Sequence, residues 1–469
     1  MNQSLSSASS KASIKVSKAR WQLIIWGLLI FAIALYLRLW EFNRLPYPIF
    51  DEVHFPKFAE GYIAGNPPND GHPPLGKYII ALGIIIFGHN EIGYRITEVC
   101  LGACIPVLVM GLLYRLTYNN RLAIIGGILT LADGLFLVES RFGLMNVFLV
   151  CFGLCSQIFL IAGLQRQDLN RTVMLSLGGI MLGATAGIKW NGLGFILMTY
   201  MLIFGLLVIQ RIAPNTFANM AVLKKFLQLK WYEYLICLVL LPAFAYILQW
   251  VPHVMMVLKV FAPTAQGWEW LGAFAKYFVI SNHNIYLWNI SPSAVGTPDH
   301  PIHPYCSSAA SWPLLMRPIA YYFNTGDTGK EIWRAVQALG NPILWWLSSL
   351  AIVAIAFISR GAGGIYIGIY ILIGYAANYL PWFAVGRCLF IYHYMSSAAF
   401  SFMALAVVID WLLSKSQIWW QALGAGAVSA VIICQIFFMP VWLGLPISIA
   451  GFYQRMWFQP NVVPGFNWI

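Results

Sequence analysis

The chain has 469 residues, of which 60% are hydrophobic and only 9% are charged, and its mean hydropathy is +0.72. No soluble domain of this length has enough interior to hide that much apolar surface, so the composition excludes a water-soluble globular protein and leaves a polytopic membrane protein. The net charge of +12 does not indicate a nucleic-acid partner, because the Lys and Arg residues are dispersed among apolar runs and build no basic domain.

Residues 1–20 are polar and Ser-rich, with Lys11, Lys15, Lys18 and Arg20, and read as a basic cytoplasmic tail. Trp21–Trp40 is the first run that meets the roughly 20 apolar residues a bilayer core requires. It is longer than the apolar core of a signal peptide and ends in "LYLRLW" rather than in small residues, so we read it as an uncleaved span. Ten further spans are predicted at 95–116, 121–138, 142–163, 173–188, 191–209, 233–252, 341–359, 364–383, 391–412 and 418–440. Gly76–Gly88 is apolar but too short to cross, and reads as an interfacial or re-entrant helix. The expected architecture is therefore an all-α bundle of about 11 transmembrane helices over residues 21–440, with large outer loops at 41–94 and 253–340 and an outer-face tail at 441–469.

Charge orients this arrangement. With the N-terminus inside, the short cytoplasmic loops hold Arg115, Arg121, Arg166, Arg171, Arg211, Lys224, Lys225, Lys230, Arg360 and Lys415, as the positive-inside rule requires. The eight histidines (His54, His72, His89, His253, His283, His300, His303 and His393) all fall at or near the other face, with most of the acids. Long outer loops collect polar residues in any case, but ionisable chemistry confined to one face of a membrane protein favours a site there. Cys100/Cys104 and Cys151/Cys155, spaced i,i+4 within apolar runs, are expected to be buried packing residues. Cys306 and Cys388 both fall outside, where a disulfide between them is an option that the sequence does not favour.

Within the first outer loop, "FDEVHF" places Asp51 and Glu52 directly before a predicted short helix with an apolar stripe of Phe55, Phe58, Ala59, Tyr62 and Ile63. One acid suffices for a helix cap, and here there are two, so a general base at the lipid–water boundary competes with capping. "HPPLGK" at 72–77 is stiffened by its prolines. Four cations stand at outer span ends: Arg95, Arg141, Lys189 and Arg387. Each pairs with an acid such as Glu98, Asp133 or Glu139, or binds something. Arg387, flanked by Tyr392 and His393 and far in sequence from any acid, suits a lipid phosphate. His300 and His303 are each followed by Pro with no third ligand in register, so no metal site is expected. Trp268, Trp270, Trp312, Tyr321 and Tyr322 suit either stacking on a substrate or anchoring at the interface. No nucleotide-binding or soluble-hydrolase motif is present in a supporting context.

Six stretches in order, "FDEVHF" (50–55), "HPPLGK" (72–77), "DGLFLVESRFGLMN" (133–146), "GIKWNG" (187–192), "SWPLLMRPIAYY" (311–322) and "RCLFIYHY" (387–394), resemble the protein O-mannosyltransferase family. The resemblance implies the integral-membrane GT-C glycosyltransferase fold and transfer of mannose from a polyprenyl-phosphate carrier to Ser or Thr of a translocated protein, at the outer face of the plasma (inner) membrane. It implies that the acid pair is the catalytic element, carried here by Asp51 as base with Glu52 orienting the site. It implies that cations near the outer face hold the carrier's phosphate, here Arg387, Arg95 and Arg141, with His393 among the substrate- and phosphate-binding residues and His72 and Lys77 shaping the pocket; catalysis without a cofactor is the default expectation. The chemistry fits: a departing phosphate needs no acid, so one base and several cations suffice. The chain departs from the family pattern at Pro56, where Gly is usual, at Asn146, where Asp is common, and in "MSS" after "YHY", and it has no β-trefoil insertion in the long outer loop. Two other readings keep different classes open: the same fold acting on a lipid or polysaccharide acceptor, and a non-enzymatic lipid carrier, which would place charges along a midplane path.

Overall fold

A computed structural model of the chain describes residues 2–220, 222–291, 303–325, 332–358, 365–459 and 466–469, with the backbone alone for 2–19 and 365. His300 and Arg360 lie outside the described residues. The first nine long elements are α1 (Asn2–Leu39), α2 (Phe55–Ile63), α3 (Leu75–Phe87), α4 (Glu91–Thr117), α5 (Asn120–Leu131), α6 (Gly134–Glu139), α7 (Asn146–Leu164), α8 (Leu169–Ile188) and α9 (Leu193–Ile212).

Every expected span falls on helix. Among the described residues nine helices are long and apolar enough to cross a membrane, including Trp231–Phe261, Tyr366–Ala384, Ile391–Leu413 and Ile418–Leu443. Two expected spans are shorter than the sequence suggests. The run 121–138 breaks into α5 and α6 because Asp133 serves as the N-cap of α6, accepting the Phe136 amide at 2.9 Å. Its other oxygen accepts the Asn341 amide at 3.0 Å and the Trp345 indole at 2.7 Å, so the break is pinned to the start of Pro342–Ile358, itself only 17 residues long. The 13-residue α3 rises about 20 Å, short of a bilayer core of about 30 Å.

The core is the packing of α4, α5, α7 and α8 with Ile391–Leu413, and α7 is buried along most of its length. The outer loop adds a small sheet that an all-α reading does not contain: β1 (Ile319–Asn324) pairs antiparallel with β2 (Ile332–Ala338), which pairs with β3 (Ile447–Ser448). The strand "IAYYFN" is rich in β-branched and aromatic residues, and a bulge falls between Ala320 and Tyr322. Contrary to the sequence expectation, Cys306 and Cys388 are joined by a disulfide, with 5.3 Å between their Cα atoms. It ties the long outer loop to the segment carrying Arg387. Cys151 is buried as expected, whereas Cys100 is exposed.

Candidate active site

The site is built where the loop after α1 returns to the bundle. α1 ends with orphan carbonyls, and Arg141, from the α6–α7 connection, caps them. Its guanidinium donates to the carbonyls of Leu37 and Arg38 (2.9 Å each), Trp40 (3.0 Å) and Glu41 (3.3 Å). Cation against helix C-terminus is the favourable pairing. Arg141 is thus not paired with Glu139, and its described hydrogen bonds go to main-chain carbonyls. It anchors the start of the loop, whereas the resemblance implies that it binds phosphate.

The chain then closes a tight turn. The amide of Glu52 donates to the carbonyl of Ile49 at 3.0 Å, and the Glu52 carboxylate accepts the Ile49 amide at 3.2 Å. Capping therefore falls to Glu52, not to Asp51. Glu52 is fully buried and also accepts the Gly143 amide (2.6 Å) and the Nε and Nη2 donors along one edge of Arg95 (2.7 and 2.8 Å). Arg95 is equally buried and directs its remaining bonds to the carbonyls of Leu45 (2.9 Å) and Tyr47 (3.0 Å). A bidentate pair this well satisfied is a structural pin. Arg95 is an internal counter-ion with its charge neutralised by Glu52, whereas the resemblance implies that it binds phosphate.

Asp51 is the opposite case. Its half-buried carboxylate accepts one described hydrogen bond, from the Tyr392 hydroxyl at 3.2 Å. Around it lie two cations that form no carboxylate ion pair among the described residues. There, Arg387 donates to neutral groups: Asn289 Oδ1 (3.0 Å), the Cys388 carbonyl (3.2 Å) and His393 Nε2 (3.2 Å). Because a guanidinium can only donate, His393 Nε2 must accept, so Nδ1 carries the hydrogen and donates to the Phe390 carbonyl at 2.9 Å. Lys189 is buried, with Nζ over the rings of Phe55 (5.5 Å) and Tyr392 (5.4 Å) and bonded to Asn146 Oδ1 at 2.9 Å. Asn146 donates in turn to Glu139 (2.8 Å), which also accepts the Tyr321 hydroxyl from β1. Burial pushes the Glu139 carboxyl above its usual range and the Lys189 ammonium below its own.

His72 sits beside Phe55, and its imidazole is held well below the usual range by burial and then by the charges of Lys189, Lys77 and Arg387. Lys77 itself is paired with Asp70 (2.6 Å) and bonded to the His72 carbonyl (2.7 Å), so it stiffens the "HPPLGK" loop from within. The structure therefore brings Asp51, Arg387, His393 and His72 within electrostatic reach of one another, with Glu52 and Lys77 as supports. The relay Lys189–Asn146–Glu139–Tyr321 is the part that site prediction missed. Its signal lay in "GIKWNG" and "ESRFGLMN", the stretches that also carry the resemblance.

Comparison with known proteins fits this geometry. The family model for dolichyl-phosphate-mannose–protein mannosyltransferase matches residues 28–90 and 84–258, and that for the C-terminal four-span region of protein O-mannosyltransferase matches residues 274–461. The chain belongs to the protein O-mannosyltransferase family. It is 26% identical to a polyprenol-phosphate-mannose–protein mannosyltransferase of Corynebacterium glutamicum, covering 88% of each chain. It is 25% identical to the protein of that name from Mycobacterium tuberculosis, covering 92% of this chain and 91% of the relative. Among solved structures, the Saccharomyces cerevisiae Pmt1-Pmt2 complex bound to the sugar donor superposes with a TM-score of 0.74 at 16% identity, covering 96% of this chain and 94% of the other. ArnT of Cupriavidus metallidurans bound to undecaprenyl phosphate matches at a TM-score of 0.53 and 14% identity, covering 90% and 76%. The fold of this mannosyltransferase-family chain is thus the GT-C fold, and the chain is a multi-pass membrane protein.

Proposed function

We propose that the protein transfers mannose from polyprenyl-phosphate-mannose to Ser or Thr hydroxyls of proteins emerging at the outer face of the plasma membrane. The observation that carries this reading is the juxtaposition of one weakly engaged carboxylate, Asp51, with cations that have no carboxylate ion pair among the described residues, Arg387 and Lys189. The donor is taken from the names of the relatives at 25–26% identity.

In the proposed step the acceptor hydroxyl oxygen attacks the anomeric carbon of mannose. Its proton passes to Asp51, and the bond from that carbon to the phosphate oxygen breaks. Polyprenyl phosphate leaves, with inversion at the sugar. Arg387 and Lys189 meet the charge growing on the departing phosphate, in a dry setting where such charges act strongly. Neutral His393, locked on Arg387, fixes the guanidinium plane. Glu52 holds the turn and needs no contact with substrate. These roles use no metal. The outer-face assignment is supported by the Cys306–Cys388 disulfide, which persists in oxidising compartments, and by the Lys/Arg bias of the short loops opposite.

The test is transfer of radiolabelled mannose from polyprenyl-phosphate-mannose to a Ser/Thr-rich peptide, in membranes carrying wild type or Asp51→Asn. Label in the peptide that falls by about 10²–10⁴-fold in the variant supports both reaction and base. Full activity in Asp51→Asn sinks the base. Label in lipid or polysaccharide but not in peptide moves the acceptor to another class.

A further inference from the structure

Four non-glycine residues among those described have a positive φ: Glu41, Phe50, Tyr118 and Leu315. Tyr118 and Leu315 directly close helical segments and Glu41 comes two residues after α1, positions where left-handed backbone is ordinary. Phe50 is different. With φ of 48° it opens the turn Phe50–Val53 and immediately precedes Asp51. It occupies the second position of the Ile49–Glu52 turn, where a positive φ is normally supplied by Gly or Asn.

The ring explains how an unfavourable residue is kept there. Phe50 stacks on Tyr321, with centroids 4.6 Å apart and planes at 17°. Its edges meet Phe390 (6.0 Å), His303 (6.1 Å) and Tyr392 (6.5 Å). Tyr321 is fixed from behind by its hydroxyl on Glu139, and Tyr392 is the residue that bonds Asp51. On the far side, Glu52 is locked by Arg95, Gly143 and Ile49. The carboxylate of Asp51 thus has little to hold it directly, while the backbone on both sides of it is immobilised. Its direction is set through the main chain.

We propose that Phe50 is a positioning residue: its left-handed backbone, clamped by the stack on Tyr321, aims the Asp51 carboxylate into the space bounded by Tyr392, Lys189 and Arg387. This rests on the reading of Asp51 as base. Strain of this kind persists where surroundings over-determine it, and gathers at reacting groups.

The experiment compares kcat and KM for polyprenyl-phosphate-mannose in detergent-purified wild type, Phe50→Tyr, Phe50→Gly and Phe50→Ala, each normalised to folded protein by thermal unfolding. Gly and Ala both delete the ring, but only Gly accepts the left-handed backbone at no steric cost. The expected result is near wild-type kcat for Phe50→Tyr, a reduced kcat for Phe50→Gly, and a further loss of about fivefold for Phe50→Ala, with KM within about twofold throughout. A kcat for Ala equal to or above that for Gly overturns the proposal, and so does a loss confined to KM. If the glycine and alanine variants do not fold for want of side-chain bulk, Phe50→Asn against Phe50→Leu makes the same contrast with more of the volume kept, and Asn must hold the higher kcat. Asp51→Asn is run alongside. If it is active, the base assignment itself has failed; if it is dead and the Gly–Ala order is reversed, only the role of Phe50 is lost.

Discussion

Arg95 and Arg387 both stand at or just beyond the ends of membrane helices, yet the chain treats them in opposite ways. Arg95 is saturated: four of its described contacts go to Glu52 and two carbonyls, and no edge faces open space. Arg387 is held by an amide oxygen, a carbonyl and an imidazole, all neutral, so its orientation is fixed, and no carboxylate among the described residues forms an ion pair with it. The first arrangement builds the wall behind the acid pair. The second leaves positive charge for an incoming anion. The same contrast separates the adjacent acids, since Glu52 accepts from four donors and Asp51 from Tyr392. What distinguishes a structural charge from a reactive one is therefore the charge of its partners, which adjacency in sequence does not reveal.

Three experiments bear on that contrast. Arg95→Met leaves Glu52 buried without a counter-ion, and breaking such a pair costs about 3–5 kcal/mol. The expected outcome is a marked drop in thermal midpoint and membrane yield, partly restored by adding Glu52→Leu; unchanged stability would break the comparison. Arg387→Ala is expected to do the reverse, with folding retained and transfer reduced by about 10²–10³-fold. Arg387→Lys should recover only part of this, because a point charge does not reproduce the planar fork. Equal losses of stability in Arg95→Met and Arg387→Ala would erase the distinction. The smallest effect is expected from Cys306→Ser, which opens a loop of 82 residues. A stability loss of about 2–4 kcal/mol is expected, together with a raised KM for the donor, because Cys388 adjoins Arg387. An unchanged KM would show that Asn289 and His393 orient the guanidinium unaided.

Much of this was legible beforehand for simple reasons. Apolar runs of 20 residues mark spans whatever their neighbours, so the bundle was read nearly complete, and the acid pair stood out against a chain poor in charge. Failures came where one side chain overrode a pattern. Asp133 divides an apolar run because its carboxylate caps α6 and also takes Asn341 and Trp345 from 208 and 212 residues away. Arg141 sits two residues from Glu139 yet serves the end of α1. Glu139 instead joins Asn146, Lys189 and Tyr321, a set drawn from three separate regions of the chain. No local rule connects residues so far apart. The disulfide was passed over for the same reason, since spacing alone carries no information on where two distant loops meet.

The scatter of these partners has a consequence for biosynthesis. Asp51 follows the span Arg20–Leu39 directly, whereas Arg387, Tyr392 and His393 lie far downstream, beside and within the helix Ile391–Leu413. A chain still being threaded into the bilayer carries the acid without the cation that would hold a donor and without the tyrosine that bonds the carboxylate. If these residues act as proposed, a chain inserted only through its Arg20–Leu39 span holds the base without the groups that would hold the donor, and activity is expected to wait on insertion of Ile391–Leu413.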